Sequence, residues 1–118
     1  MKKISLILMI LTSLIFCSNS FGQTEEVKIK TSAQCGMCKD RIEKTLSYER
    51  GIVSSTLDIT TKEVTVIYKP KKTNPDKIRI AISKVGYKAD DLKADSIAYK
   101  NLPACCKIPG DGKKSEHH

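Results

Sequence analysis

Tryptophan is absent from the 118-residue sequence, aromatic residues make up 5% of it, and its two histidines are its last two residues. Two phenylalanines and four tyrosines scattered among 21 lysines and arginines build no stacking platform for nucleic-acid bases. The net charge of +8 therefore reads as a solvated basic surface, suited to an acidic docking partner rather than to nucleic acid. No histidine precedes Cys106 to serve as a general base, and no paired carboxylates mark a hydrolytic cleft, so nothing points to an enzyme. Long apolar runs are missing as well. The longest, Ile4 to Phe16, falls short of the roughly 20 residues that cross a bilayer.

That run has another reading. Lys2 and Lys3 precede it, and Ser18, Asn19, Ser20 and Gly22 follow, giving the charged, hydrophobic and small-residue zones of a secretory signal peptide. Cleavage is expected near Gly22, with the product periplasmic or secreted. Bulky Phe16 stands where a lipoprotein signal has a small residue before its cysteine, which argues against lipidation at Cys17. The expected organisation is a signal peptide over 1–22, one small domain over 23–94, and an extension over 95–118 that carries a Cys-Cys pair and a polar tail.

Four cysteines then remain: Cys35, Cys38, Cys105 and Cys106. An even count in an exported chain suggests disulfides first. These are two close pairs, however. Bridging Cys35 to Cys38 closes a tiny ring, and bridging adjacent cysteines strains the peptide between them. The spacing suits ligand chemistry better than scaffolding.

Alternation of Val27 and Ile29 with Lys28 and Lys30 predicts a strand. From Cys38 the spacing turns helical, with Ile42 and Leu46 as the buried stripe and Gly51 as the stop. Val53, Ser55, Leu57 and Ile59, then Val64, Val66 and Tyr68, predict an antiparallel hairpin closed by Pro70. Asn74 and Pro75 open a second helix, striped by Ile78, Ala81, Ile82 and Val85 and ended by Gly86. Tyr87 to Lys93 is the candidate fourth strand, and Asp95 to Leu102 a short third helix stopped by Pro103. The order predicts an α+β, ferredoxin-like βαββαβ sandwich, an antiparallel sheet with two helices on one face, plus the short C-terminal extension.

Cys35 and Cys38 would stand where the first strand meets the first helix. Unpaired N–H groups and the positive end of the helix dipole favour thiolates there. Two thiolates three positions apart can converge on one soft ion, Cu(I) first, with Hg(II) or Zn(II) as alternatives. Zn(II) usually takes four ligands, whereas Cu(I) and Hg(II) accept two. A two-ligand site stays open to attack by a partner's thiolate, which implies transfer by ligand exchange. Gly36 leaves the loop free to open, and Met37 is a candidate apolar cover. Cys105 and Cys106 are a candidate accessory metal site, joined by His117 and His118, or else an exposed pair that oxidises.

Strand, CxxC at a helix start, hairpin, second helix and then Gly86-Tyr87 together resemble the heavy-metal-associated domain family over roughly Glu25 to Lys93. That family includes copper chaperones, the metal-binding domains of copper-transporting ATPases and the small exported mercury-binding protein. The resemblance implies that Cys35 and Cys38 are the metal ligands and that Tyr87 shields the site. It also implies a metallochaperone, monomeric or bridged by metal into a dimer, whose partner is a metal-transporting membrane protein or another CxxC protein. Family loops commonly carry Gly-Met-Thr before the first cysteine, and this chain has Ala33 and Gln34 there. Zinc-preferring relatives tend to place an aspartate before that cysteine, so Gln34 tilts the metal towards Cu(I) or Hg(II). Two rivals share the CxxC. One is a thiol–disulfide oxidoreductase, against which the missing tryptophan and the early hairpin count. The other is a domain with inert disulfides.

Overall fold

The structure is a computed structural model and describes residues 23–108. The signal-peptide reading of 1–22 and the terminal histidines lie outside the described residues.

Three strands, β1 (Glu25–Lys30), β2 (Ile52–Asp58) and β3 (Glu63–Tyr68), form one antiparallel sheet in the order β1-β3-β2. Its register aligns Ile29, Val64 and Leu57 in one row across the sheet, all buried. Helix α1 (Gly36–Ser47) places Cys38, Ile42 and Leu46 in the core, and α2 (Pro75–Lys84) contributes Ile78, Ala81 and Ile82. These residues make one cluster, so both helices bury their apolar stripes against the same sheet. Glu43 ties α1 to that sheet. Its carboxylate accepts the Leu57 N–H at 3.1 Å and pairs with Lys39. Asn74 caps α2 by accepting the Lys77 N–H at 2.9 Å, with Pro75 at the first position as the sequence predicts.

Two expectations need correction. Val53 is 53% exposed, and half-buried Ile52 packs against the core in its place. A register shift between Ile52 and Ser54 inserts a residue there and flips the alternation; Ile59 lies beyond the end of β2 and is exposed. The fourth strand shrinks to a bridge. Ala89 pairs with Thr31 beside the free edge of β1, where the last strand of a βαββαβ sandwich belongs, but also pairs with Leu92. The chain turns back at once through Asp90, at φ 51°. Asp90 secures this turn. Its carboxylate accepts the Lys30 N–H at 2.9 Å and bonds Arg79 Nε at 2.8 Å.

After α2 the chain passes Gly86, at φ +101°, a conformation that favours glycine. It then forms α3 (Ser96–Lys100), capped by Asp95, and a 3₁₀ turn over Ala104–Cys106. A Cβ on Gly86 would lie 3.0 Å from the carbonyl carbon and oxygen of Ala98. The extension therefore docks directly on the α2 terminus, and Leu102 and Cys106 join the same core.

Gly86→Ala combines left-handed strain with a backbone clash and is expected to lower stability by about 1–3 kcal/mol in urea unfolding; an unchanged midpoint would show that α3 does not need this close approach. Arg79 and the Lys30 N–H outweigh the burial that opposes ionisation of Asp90 and hold its pKa below the usual value. The stability from this charge is therefore present above the unfolded carboxylate pKa of about 4 and is lost as pH falls through the lower folded value. Asp90→Asn, which keeps a residue tolerant of positive φ, should cost under about 1 kcal/mol at neutral pH. The cost should vanish at low pH, and one that persists there would assign the effect to the turn rather than to the charge.

Candidate metal centre

Thr31 fixes the loop that carries the first cysteine. Its N–H and hydroxyl both donate to the Lys62 carbonyl at 2.8 Å, and its Oγ1 accepts the Ala33 N–H at 3.2 Å. Ser32 Oγ accepts the Lys88 N–H at 2.9 Å, which joins this loop to the segment after α2. Ala33, where family loops carry methionine, is fully buried. Cys35 is then the N-cap of α1, in extended backbone, and Cys38 lies within the first turn. The helix thus begins two residues before the sequence reading placed it.

Cys35 Sγ is 3.4 Å from Cys38 Sγ. It is also 3.4 Å from Cys105 Sγ and 3.8 Å from Cys106 Sγ, and the last two are 3.9 Å apart. Cys35 is half-buried, Cys38 and Cys106 are buried and Cys105 is exposed, all four as free thiols. Two separate pairs in the sequence are one cluster in the fold. Short α3 and the 3₁₀ turn bring the chain back to the CxxC end. Two hydrogen bonds hold the return path: Asp95 N–H to the Ser83 carbonyl at 2.9 Å and Ser83 hydroxyl to the Lys93 carbonyl at 2.7 Å. The sequence carried a signal for this docking that the reading did not use. Leu102 and Cys106, four apart and following a capping Asp95, are the buried residues of the extension.

The Cys38 backbone N–H facing the Cys35 sulfur is the main cause that lowers the Cys35 pKa to about 7; burial opposes it, and the three neighbouring thiols add to it. Cys105 and Cys106 are disfavoured as anions. Contact with Cys35, then burial, raises Cys105. Burial pushes Cys106 up to about 12, with its contacts to Cys38 and Cys35 adding. Tyr87 is wholly buried beside Cys38 and Cys106, and its hydroxyl is left without a protein hydrogen-bond partner. Burial raises its pKa, so it stays a neutral phenol. Met37 is 49% exposed and lines a shallow hollow with Arg41, Lys44 and Val85 on the outside of α1.

Among the described residues this is the group whose ligand atoms converge as a metal would require: Cys35, Cys105 and Cys106 lie within 4.8 Å of one another, and Cys38 touches Cys35. Sulfur-only donors of this kind select soft ions.

The comparisons agree with that chemistry. A family model described as "Heavy-metal-associated domain" matches residues 29–88. The chain belongs to the heavy-metal-associated domain family. It is 39% identical over 67 residues to a copper-exporting P-type ATPase of Staphylococcus aureus, a match covering 57% of this chain and 8% of that protein. The chain thus spans a small part of the curated relatives it matches. It is 30% identical to the N-terminal domain of a potential copper-translocating P-type ATPase from Bacillus subtilis, solved in the Cu(I)-loaded state. That match has a TM-score of 0.55 and covers 58% of this chain and 86% of that one. Oxidised MerP from Ralstonia metallidurans, 22% identical with a TM-score of 0.55 over 58% of this chain and 96% of its own, shares the fold. So does the CopZ metallochaperone, 24% identical with a TM-score of 0.54 over 55% of this chain and 98% of its own.

At pH 7, limiting iodoacetamide should label Cys35 of the reduced, metal-free protein first, with half-maximal labelling near pH 7. Cys105 should follow only at higher pH although it is more exposed, and peptide mass mapping that finds Cys105 labelled first would refute this ordering.

Proposed function

We propose that the protein is an exported metallochaperone that binds Cu(I), or Hg(II) by the same chemistry, through Cys35 and Cys38 and passes it on by thiolate exchange. The observation that carries this reading is the pair of sulfurs 3.4 Å apart at the N-terminus of α1, with Cys35 poised to be a thiolate at neutral pH. Membership of the heavy-metal-associated family and the copper-transporting relatives support copper as the cargo. Lys2, Lys3 and the apolar run that follows support export.

Exchange follows from access. Cys35 is half-exposed, and a Cβ built on neighbouring Gly36 would meet nothing within 4 Å, so an incoming thiolate has room to reach the ion. It would form a shared intermediate and then displace the chain's own thiolates one at a time. The receiving protein is another CxxC protein, such as the soluble domain of a metal-transporting membrane protein, drawn by the basic surface to an acidic one.

An oxidoreductase reading shares one observation, a low-pKa thiol in contact with other thiols. An anaerobic Cu(I) titration of the reduced protein against a competing chelator separates the two. One tight equivalent that Cys35→Ser/Cys38→Ser removes is the expected result. Weak binding in both proteins, together with turnover of a disulfide substrate, would replace the chaperone by the enzyme.

A further inference from the structure

We infer that Cys105 and Cys106 are ligands of the same ion as the CxxC, so that the domain holds its cargo in one shared site of at least three thiolates. This inference rests on the soft-metal reading above and adds to it who the third ligand is: not a partner protein, but the chain's own C-terminal extension.

The distances carry the argument. Around an ion bonded to sulfur at about 2.3 Å, thiolates stand about 3.8 Å apart in a tetrahedron and about 4.0 Å apart in a trigonal plane, against about 4.6 Å for a linear pair. Cys35, Cys105 and Cys106 already form a triangle with edges of 3.4, 3.8 and 3.9 Å. A two-coordinate ion on Cys35 and Cys38 would instead require their sulfurs, now 3.4 Å apart, to separate by more than about 1 Å. The triangle needs only small adjustments. Cys35 is the member it shares with the CxxC, in contact with each of the other three sulfurs.

The extension is also anchored in a way that a free tail is not. Gly86 accepts the Ala98 backbone at close range, Leu102 and Cys106 are buried in the core, and the Ile108 N–H donates to the Tyr99 hydroxyl at 3.0 Å beyond the pair. Cys106 is 1% exposed and faces the site from below beside Tyr87, whereas Cys105 is open to solvent. Cys105 is therefore the ligand that an incoming thiolate would replace first.

Sulfur-edge and metal-edge X-ray absorption on the protein carrying one Cu(I) equivalent tests this directly, alongside chelator-competed affinities of wild type and Cys105→Ser/Cys106→Ala. The expected result is three or more sulfurs per ion in the wild type and two in the variant, with the variant binding about 100-fold more weakly. Two sulfurs per ion in the wild type would overturn the inference while leaving the CxxC carrier intact. So would a second tight equivalent that the variant loses without change to the first, because the pairs would then be separate sites. Failure of the wild type to bind one tight equivalent would remove both readings together. The wild-type sulfur count needs no substitution, so misfolding of the variant would not blunt the test.

Discussion

The arrangement of the thiol cluster depends on the close approach of two backbones at Gly86. With no side chain, this residue takes φ +101° and lets the Ala98 carbonyl come within 3.0 Å of where a Cβ would be. Three consequences follow from that contact. Helix α3, reached after the turn at Asp90, lies directly against the end of α2. Leu102 and Cys106 reach the core beside Cys38. Tyr87, the next residue, turns inward to occupy the space beneath the thiols, where it is fully buried. Any larger residue at position 86 would push α3 outward and draw Cys105 and Cys106 away from Cys35.

Four thiols in contact pose an electrostatic problem that a soft cation resolves. Near neutrality Cys35 is favoured as an anion, while contact with Cys35 and then burial hold Cys105 protonated, and burial above all holds Cys106 protonated. In the metal-free cluster Cys105 and Cys106 are thus neutral, which suits a site half-enclosed by Tyr87 and the core. An ion that bonds to sulfur supplies the positive charge that lets further thiols ionise, and each one that does so releases a proton. Binding of such an ion therefore tightens as pH rises, because each ligating thiol that is protonated in the free protein must give up its proton. A hard cation gains little from such donors, so selectivity follows from the donor set rather than from the shape of the cavity.

Much of this was legible in the sequence because it is encoded locally. Period-two alternation located the strands, Asn74-Pro75 marked the start of α2, and the CxxC fell at the N-terminus of α1 as its position after a strand implied. The bulge at Ile52–Ser54 was not legible, since nothing in Ile52-Val53-Ser54 distinguishes which neighbour the shifted register will bury. The fourth strand failed for a related reason: Ala89 and Leu92 close on each other through Asp90, and the carboxylate that stabilises this turn bonds to Lys30 and Arg79, distant in sequence. The meeting of Cys35 with Cys105, 70 residues apart, lay furthest from view. No periodicity links them. Their contact is the product of Gly86, the Asp95 cap and the burial of Leu102, each readable alone but meaningful only once the sheet and α2 are in place.

On the proposed carrier function, the extension would also bear on how retention is balanced against delivery. A two-thiolate site gives up its ion easily because an incoming thiolate meets an ion with a vacant coordination position. If Cys105 and Cys106 ligate as inferred, they would occupy that position at an effective concentration on the order of millimolar or more and so outcompete stray thiols present at lower concentration. They do not block a docked partner, whose own cysteines reach comparable local concentrations once the two surfaces are joined. A tail held by a five-residue helix and two buried side chains can yield in that encounter without unfolding the domain. Tethered ligands on such a segment would therefore discriminate between collision and docking, which two thiolates on a rigid loop alone could not do.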